Sequence, residues 1–189
     1  MSVTTTPPTN PALWRDGDAP GDRRFAQIGD LSLESGEHLP GVVLAYETWG
    51  ELNASRDNAI LVEHALTGDS HVVGPAGHGH PTAGWWPGLV GSGALLDTDE
   101  YFVVAINVLG GCQGSTGPGS RAADGRAWGS RFPRLTIRDQ VAAEARLADQ
   151  LGIERWHTVI GGSMGGMRTL EWVASHPDRV GTAIALAST

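Results

Sequence analysis

Four short, nearly unbroken apolar runs punctuate the chain: residues 59–64 (Ala-Ile-Leu-Val-Glu-His), 101–108 (Tyr-Phe-Val-Val-Ala-Ile-Asn-Val), 156–160 (Trp-His-Thr-Val-Ile) and 182–186 (Thr-Ala-Ile-Ala-Leu). Runs of this length without alternation suit strands buried on both faces, as in a parallel sheet. Residues 25–33, loosely alternating, and residues 42–49, rich in β-formers, predict two earlier strands. Helical spacing appears in two places. Thr136 followed by Asp139 reads as a capped start, Ile137, Val141, Ala148 and Leu151 recur near the helical period, and Gly152 supplies a stop. Residues 164–175 form a second helix with Met167, Leu170, Val173 and Ala174 on one side, ended by His176-Pro177. Strands alternating with helices predict an α/β fold with a mostly parallel sheet, whose ligand sites lie at the carboxyl ends of the strands.

Composition narrows the functional classes. The chain has 189 residues, enough for one domain, but it is short against the roughly 200–250 residues of large single α/β domains. All 13 basic residues are Arg, so neither a P-loop lysine nor a Schiff-base lysine is available. A net charge of −8 argues against a nucleic-acid partner, because basic patches drive that binding. The lone Cys112 supports neither a disulfide framework nor a Cys-based zinc site, so no metal is expected and the compartment is read as cytoplasmic. No apolar run reaches 18 residues, so no membrane span is expected. Residues 1–20, with four prolines, read as a flexible N-terminal arm; residues 21–189 read as the core domain.

The chemistry concentrates at Gly161-Gly162-Ser163-Met164-Gly165, a G-x-S-x-G motif with a strand before it and a helix after it. That setting identifies a nucleophile elbow: the serine occupies a strained turn, Gly161 and Gly165 leave room for chain and substrate, and Gly162 and Gly166 extend that room. Ser163 is the candidate nucleophile. The Met164 N–H, at the start of the helix, is the expected first oxyanion donor. The Leu66 N–H, in the His64-Ala65-Leu66-Thr67-Gly68 loop after the third strand, is the candidate second donor. Two alternatives stay open at this level: a glycine-rich turn with an incidental serine, and a phosphate-binding turn. His64, at a strand end, reads as a structural hydrogen-bonding residue rather than a base.

A serine nucleophile needs a base and an orienting carboxylate, which in this fold follow the serine in chain order. Beyond Ser163 the chain offers Glu171, His176 and Asp178. His176 is 13 residues on, roughly 20 Å along a helix, and cannot reach the serine oxygen. An upstream histidine (His64, His71, His78 or His80) or a second chain could in principle complete the site. The reading adopted is that the sheet is cut off after the strand that follows the nucleophile helix, and that the chain is part of a longer enzyme.

Several separate segments then point to one family. They are residues 44–50 (Leu-Ala-Tyr-Glu-Thr-Trp-Gly), the loop 64–68, Trp85-Trp86 with residues 91–93, residues 107–118 (Asn-Val-Leu-Gly-Gly-Cys-Gln-Gly-Ser-Thr-Gly-Pro), Phe132-Pro133 with Arg138-Asp139, and residues 161–167. From about Leu39 onward the chain resembles the homoserine O-acetyltransferases, α/β-hydrolase-fold enzymes of methionine biosynthesis. The resemblance implies a ping-pong reaction in which Ser163 takes acetyl from acetyl-CoA, a co-substrate rather than a resident cofactor, and passes it to L-homoserine. It also implies a homodimer, and a triad Asp and His with a helical lid in the region beyond Thr189. Related readings are succinyl-CoA or serine as substrates, an esterase of the same fold, or a non-catalytic α/β module. Trp85, Trp86 and Cys112 are candidates for lining the pocket, with core or loop packing the preferred reading for the tryptophans. Cys112 lacks the basic neighbour or helix N-terminus that would make it a nucleophile.

Overall fold

The computed structural model describes residues 13–188. Its strands are β1 (Arg24–Ser32), β2 (His38–Trp49), β3 (Ala59–Glu63), β4 (Val90–Gly91), β5 (Leu96–Asp97), β6 (Phe102–Ile106), β7 (Trp156–Gly162) and β8 (Val180–Leu186). The helices are α1 (Ile137–Leu151) and α2 (Met164–Ser175). Six strands form one sheet in the order β1-β2-β6-β3-β7-β8. β1 and β2 pair antiparallel, as do β2 and β6, whereas β6, β3, β7 and β8 run parallel. The short strands β4 and β5 pair with each other and carry no signal in the apolar pattern.

Alternate side chains of β3 feed two cores. Leu61 joins Val104, Ile106, Val159 and the helical residues Val141, Leu147 and Trp172 on one face. Ile60 and Val62 join Val103, Ala105 and Ile160 on the other. This second face is covered by the long β3–β6 connection, through Val72, Leu89, Val90 and Leu96, rather than by a helix. Trp85 and Trp86 pack against this second core, their rings 5.4 Å apart, and the Trp85 indole N–H donates to the Asp69 carbonyl. The tryptophans therefore serve packing, the reading preferred from sequence.

The helix limits match the sequence signals closely. Thr136 caps α1, accepting from the Asp139 N–H while the Asp139 carboxylate accepts from the Thr136 N–H, and Gly152 ends it with φ 72°. The apolar side of α2 is different. Leu170 and Val173 are exposed, and the buried face is instead Gly165, Gly166, Arg168, Thr169 and Trp172. The helix turns its glycines to the sheet because only they allow the backbones to approach closely. β8 is the edge strand of the sheet formed by the described residues, and Ile184 and Leu186 are exposed on it.

Residues 1–12 of the expected N-terminal arm lie outside the described residues. The remainder is tied to the body. Trp14 packs tilted against Phe25 with ring centroids 5.0 Å apart, its main-chain N–H donates to the Cys112 carbonyl, and its indole N–H donates to the Ala19 carbonyl. Among the described residues no helix is long and apolar enough to cross a membrane.

Thr136→Ala removes a capping-box acceptor from α1 and is expected to lower unfolding free energy by about 1 kcal/mol, measured by urea denaturation.

Candidate active site

A single residue, Ser163, separates β7 from α2. Its backbone has φ 55° and ψ −122°, a conformation that a non-glycine residue holds only under constraint. The constraint is visible. The Ser163 N–H donates to the Leu186 carbonyl at 2.9 Å, and its own carbonyl accepts from the Met167 N–H at 3.0 Å and from Ser188 Oγ at 3.3 Å. The serine side chain caps no helix N–H, and the residue is exposed at the carboxyl end of the sheet. The hydroxyl is thereby left free of the helix terminus it could have capped.

The glycines around it divide into two kinds. A Cβ on Gly165 would collide with the Glu63 carbonyl and lie 2.9 Å from that of His64, and a Cβ on Gly161 would lie 2.6 Å from Glu63 Cβ. These two permit the turn to sit directly on β3. A Cβ on Gly162 would meet nothing closer than 3.8 Å. The expectation that Gly162 also supplies clearance does not hold.

Leu66 and Met164, the expected oxyanion residues, line one cavity of about 270 Å³ together with His64, Asn107, Cys112, Phe132 and Gln140. Met164 opens α2, and an N–H in a first helical turn has no intrahelical acceptor. Leu66 is exposed at the rim of the cavity it lines. Cys112, exposed, lines the cavity as considered; Trp85 and Trp86 do not.

His64 is the one histidine in that lining, and both its nitrogens are engaged. Nδ1 lies 2.7 Å from the Ala65 carbonyl and Nε2 accepts from the Val108 N–H at 3.1 Å. Burial, and then the nearby Arg168 charge, lower its pKa to about 3. It is a neutral brace between two loops and not a base. His71 is occupied by Glu47 at 3.0 Å and stacks on His80 at 3.8 Å. His176 sits at the opposite end of α2 from Ser163, its ring against Trp172.

Two buried polar groups escaped the sequence reading. In the first, Glu47 accepts from Ser70 Oγ at 2.7 Å, Asn107 Nδ2 donates to Ser70 Oγ and to the Gln113 carbonyl, and Arg23 donates to Gln113 Oε1. This chain braces the cavity loop 107–113. Asp22, Glu47, His71 and His80 also place one ligand atom each within 4.8 Å of one another. Yet both Glu47 oxygens already have partners, and the Arg23 guanidinium interacts with Glu47 and Asp22, which disfavours a cation there. In the second group, fully buried Arg168 contacts Glu63 at 2.5 Å and Glu144 at 2.7 Å. Its only sequence signs are a Glu closing an apolar strand and an Arg on the buried face of an apolar helix.

A strand, a one-residue strained turn bearing serine, a helix, and a loop after β3 that lines the same cavity as the helix start have the arrangement of an α/β-hydrolase site. Residues 58–189 match the alpha/beta hydrolase fold family. The chain belongs to that family. This α/β-hydrolase is 65% identical over its whole length to a homoserine O-acetyltransferase of Thermobifida fusca, of which it covers 50%. It thus spans about half the length of the curated relatives it matches, and the likeness includes the residues before Leu39, where the motifs gave no sign of it. Among solved structures, homoserine O-acetyltransferase from Bacillus anthracis superposes with a TM-score of 0.81 at 32% identity, covering 88% of this chain and 46% of that one. Esterase E22 superposes equally well, with a TM-score of 0.81 at 31% identity, covering 88% and 47%.

Two predictions follow from this geometry. Gly165→Ala is expected to destabilise by about 3 kcal/mol or more, because backbone atoms must move, whereas Gly162→Ala changes stability by under about 1 kcal/mol; chemical denaturation compares them. The second concerns acid. A histidine whose folded pKa is depressed contributes stability that is complete above its unfolded value of 6.5 and is lost as pH falls toward about 3. Replacing His64 by Asn removes that titration. The stability difference between the parent and His64→Asn is therefore expected to shrink by up to about 1.4 kcal/mol per pH unit below pH 6.5. Denaturation midpoints between pH 7 and pH 5, taken as roughly the span around the histidine's ordinary pKa, report it; a constant difference would show that the ring is not neutral when folded.

Proposed function

We propose that this chain is the nucleophile-bearing half of a homoserine O-acetyltransferase. Ser163 accepts an acetyl group from acetyl-CoA, expelling the CoA thiol, and yields it to the hydroxyl of L-homoserine. The observation that carries the reading is the strained Ser163 turn beside a cavity lined by Leu66 and Met164, in a chain 65% identical to a protein of that name. Leu66 and Met164 N–H groups stabilise the oxyanion of each tetrahedral intermediate. The base and its carboxylate come from outside the described residues, since His64 is neutral and doubly engaged and His176 stands at the wrong end of α2. Acetyl-CoA is a co-substrate, no metal takes part, and the enzyme acts in the cytoplasm as a homodimer.

A second reading, an esterase on the same scaffold, is favoured by the equal superposition on esterase E22. The two differ only in what attacks the acyl-enzyme: homoserine or water.

The deciding experiment joins this chain to the remaining half of the Thermobifida fusca relative and follows CoA release. Acetylation of Ser163 by mass spectrometry, with CoA release dependent on L-homoserine, is expected. Ser163→Ala is expected to reduce turnover by at least about a thousandfold. CoA release that is unaffected by homoserine but accompanied by free acetate would establish the esterase reading instead. Turnover retained in Ser163→Ala would remove Ser163 from the chemistry.

A further inference from the structure

Arg168 lies five residues beyond Ser163, on the sheet-facing side of α2, and is fully buried. It gathers three elements. Its Nη1 contacts Glu63 Oε2 of β3 at 2.5 Å and donates to Glu144 Oε1 of α1 at 2.7 Å, and its Nη2 donates to the His64 main-chain carbonyl at 2.7 Å. Glu144 is held in turn by the Trp172 indole N–H at 2.9 Å. Both carboxylates are as buried as the guanidinium.

Charge in such a place must balance. One guanidinium faces two carboxyl groups. Burial, opposed by Arg168 and reinforced by Glu144, pushes Glu63 well above the ordinary carboxylate range, in the direction of its uncharged form. That direction moves the group toward one positive charge, on Arg168, against one negative charge, on Glu144. Even balanced, a buried ion group is seldom more stabilising than well-packed apolar residues of the same size. Packing therefore gives no reason for an arginine here. The third contact does.

The His64 carbonyl stands at the base of the turn that carries Leu66. The loop closes on itself through the Gly68 N–H to the Ala65 carbonyl at 2.9 Å. The His64 ring fixes one side of it, between the Ala65 carbonyl and the Val108 N–H. On the other side the His64 carbonyl meets α2 twice, at the space left by Gly165 and at the Arg168 guanidinium. The oxyanion loop is thus registered against the same helix that carries Met164.

We propose that Arg168 is a positioning residue for the oxyanion hole: by holding the His64 carbonyl to α2, it sets the placement of the Leu66 N–H relative to the Met164 N–H and Ser163. Glu144 orients the guanidinium and supplies its counter-charge, and Glu63 lies against the same nitrogen. The proposal rests on the acyl-transfer reading of Ser163, and its test separates the two.

Two measurements are made on Arg168→Gln, Arg168→Lys and the charge-balanced double variant Arg168→Met with Glu144→Gln. In the chain itself, amide hydrogen exchange across residues 64–68 is expected to accelerate by about tenfold or more, while β3 and β7 keep their protection. In the chain joined to the relative's remaining half, kcat is expected to fall by about 10- to 100-fold with KM changed less than about twofold, because the lost interaction acts on the transition state. Arg168→Lys, which keeps a donor and the charge, is expected to recover part of kcat. A folded variant with native protection at residues 64–68 and native kcat would overturn the proposal. Failure of every variant to fold would also overturn it, marking Arg168 as a core residue only. If the joined parent transfers no acyl group, the acyl-transfer reading fails, while the exchange measurement still decides whether Arg168 holds the loop.

Discussion

The site depends on one close approach: the start of α2 pressed onto the carboxyl end of β3. At Gly165 there is no room for a side chain between the helix and the carbonyls of Glu63 and His64, and at Gly161 none beside Glu63. This contact lets Ser163 occupy the single residue between strand and helix, with the cavity loop that carries Leu66 starting where β3 ends. Any other residue at position 165 would push the helix off the strand and separate the parts of the site.

The rest of the structure sustains that approach. The parallel pairing of β3 with both β6 and β7 places the two loops of the cavity side by side. Those loops are then cross-braced. His64 ties the β3 loop to Val108, and the Asn107, Ser70 and Glu47 chain ties the β6 loop to β2. The price is a set of polar groups in the interior: those of the two braces are paired, whereas both Glu63 oxygens and Arg168 Nε are buried without a hydrogen bond. The positive φ at Ser163 is sustained similarly, by hydrogen bonds to residues 186 and 188 rather than by intrinsic preference.

The superposition on both an acetyltransferase and an esterase has a simple physical basis. A nucleophile and a site for the oxyanion are needed for either outcome, and the candidates for both, Ser163 with Leu66 and Met164, lie in this chain. The choice between alcohol and water depends on who reaches the acyl-enzyme, which is a matter of enclosure and acceptor contacts. The exposed Leu170, Val173, Ile184 and Leu186 show that one flank of this segment is uncovered.

The linear sequence determined what is local. The limits of α1 follow from its capping box and its terminal glycine, and the elbow follows from glycines set between a strand and a helix, because such signals act over a few residues. The central strands were legible because burial on both faces demands unbroken apolar runs. Tertiary structure alone decided the rest. Which surface lies across from an apolar side chain is also tertiary: the buried face of α2 is Gly165, Gly166, Arg168, Thr169 and Trp172, not its most apolar side. Glu63, Glu144 and Arg168, distant in sequence, become one buried group because β3, α1 and α2 converge there, and no periodicity encodes which charges will meet. His64 likewise looked like a lone histidine at a strand end. Only the fold supplied both backbone partners that make it a neutral brace of the site.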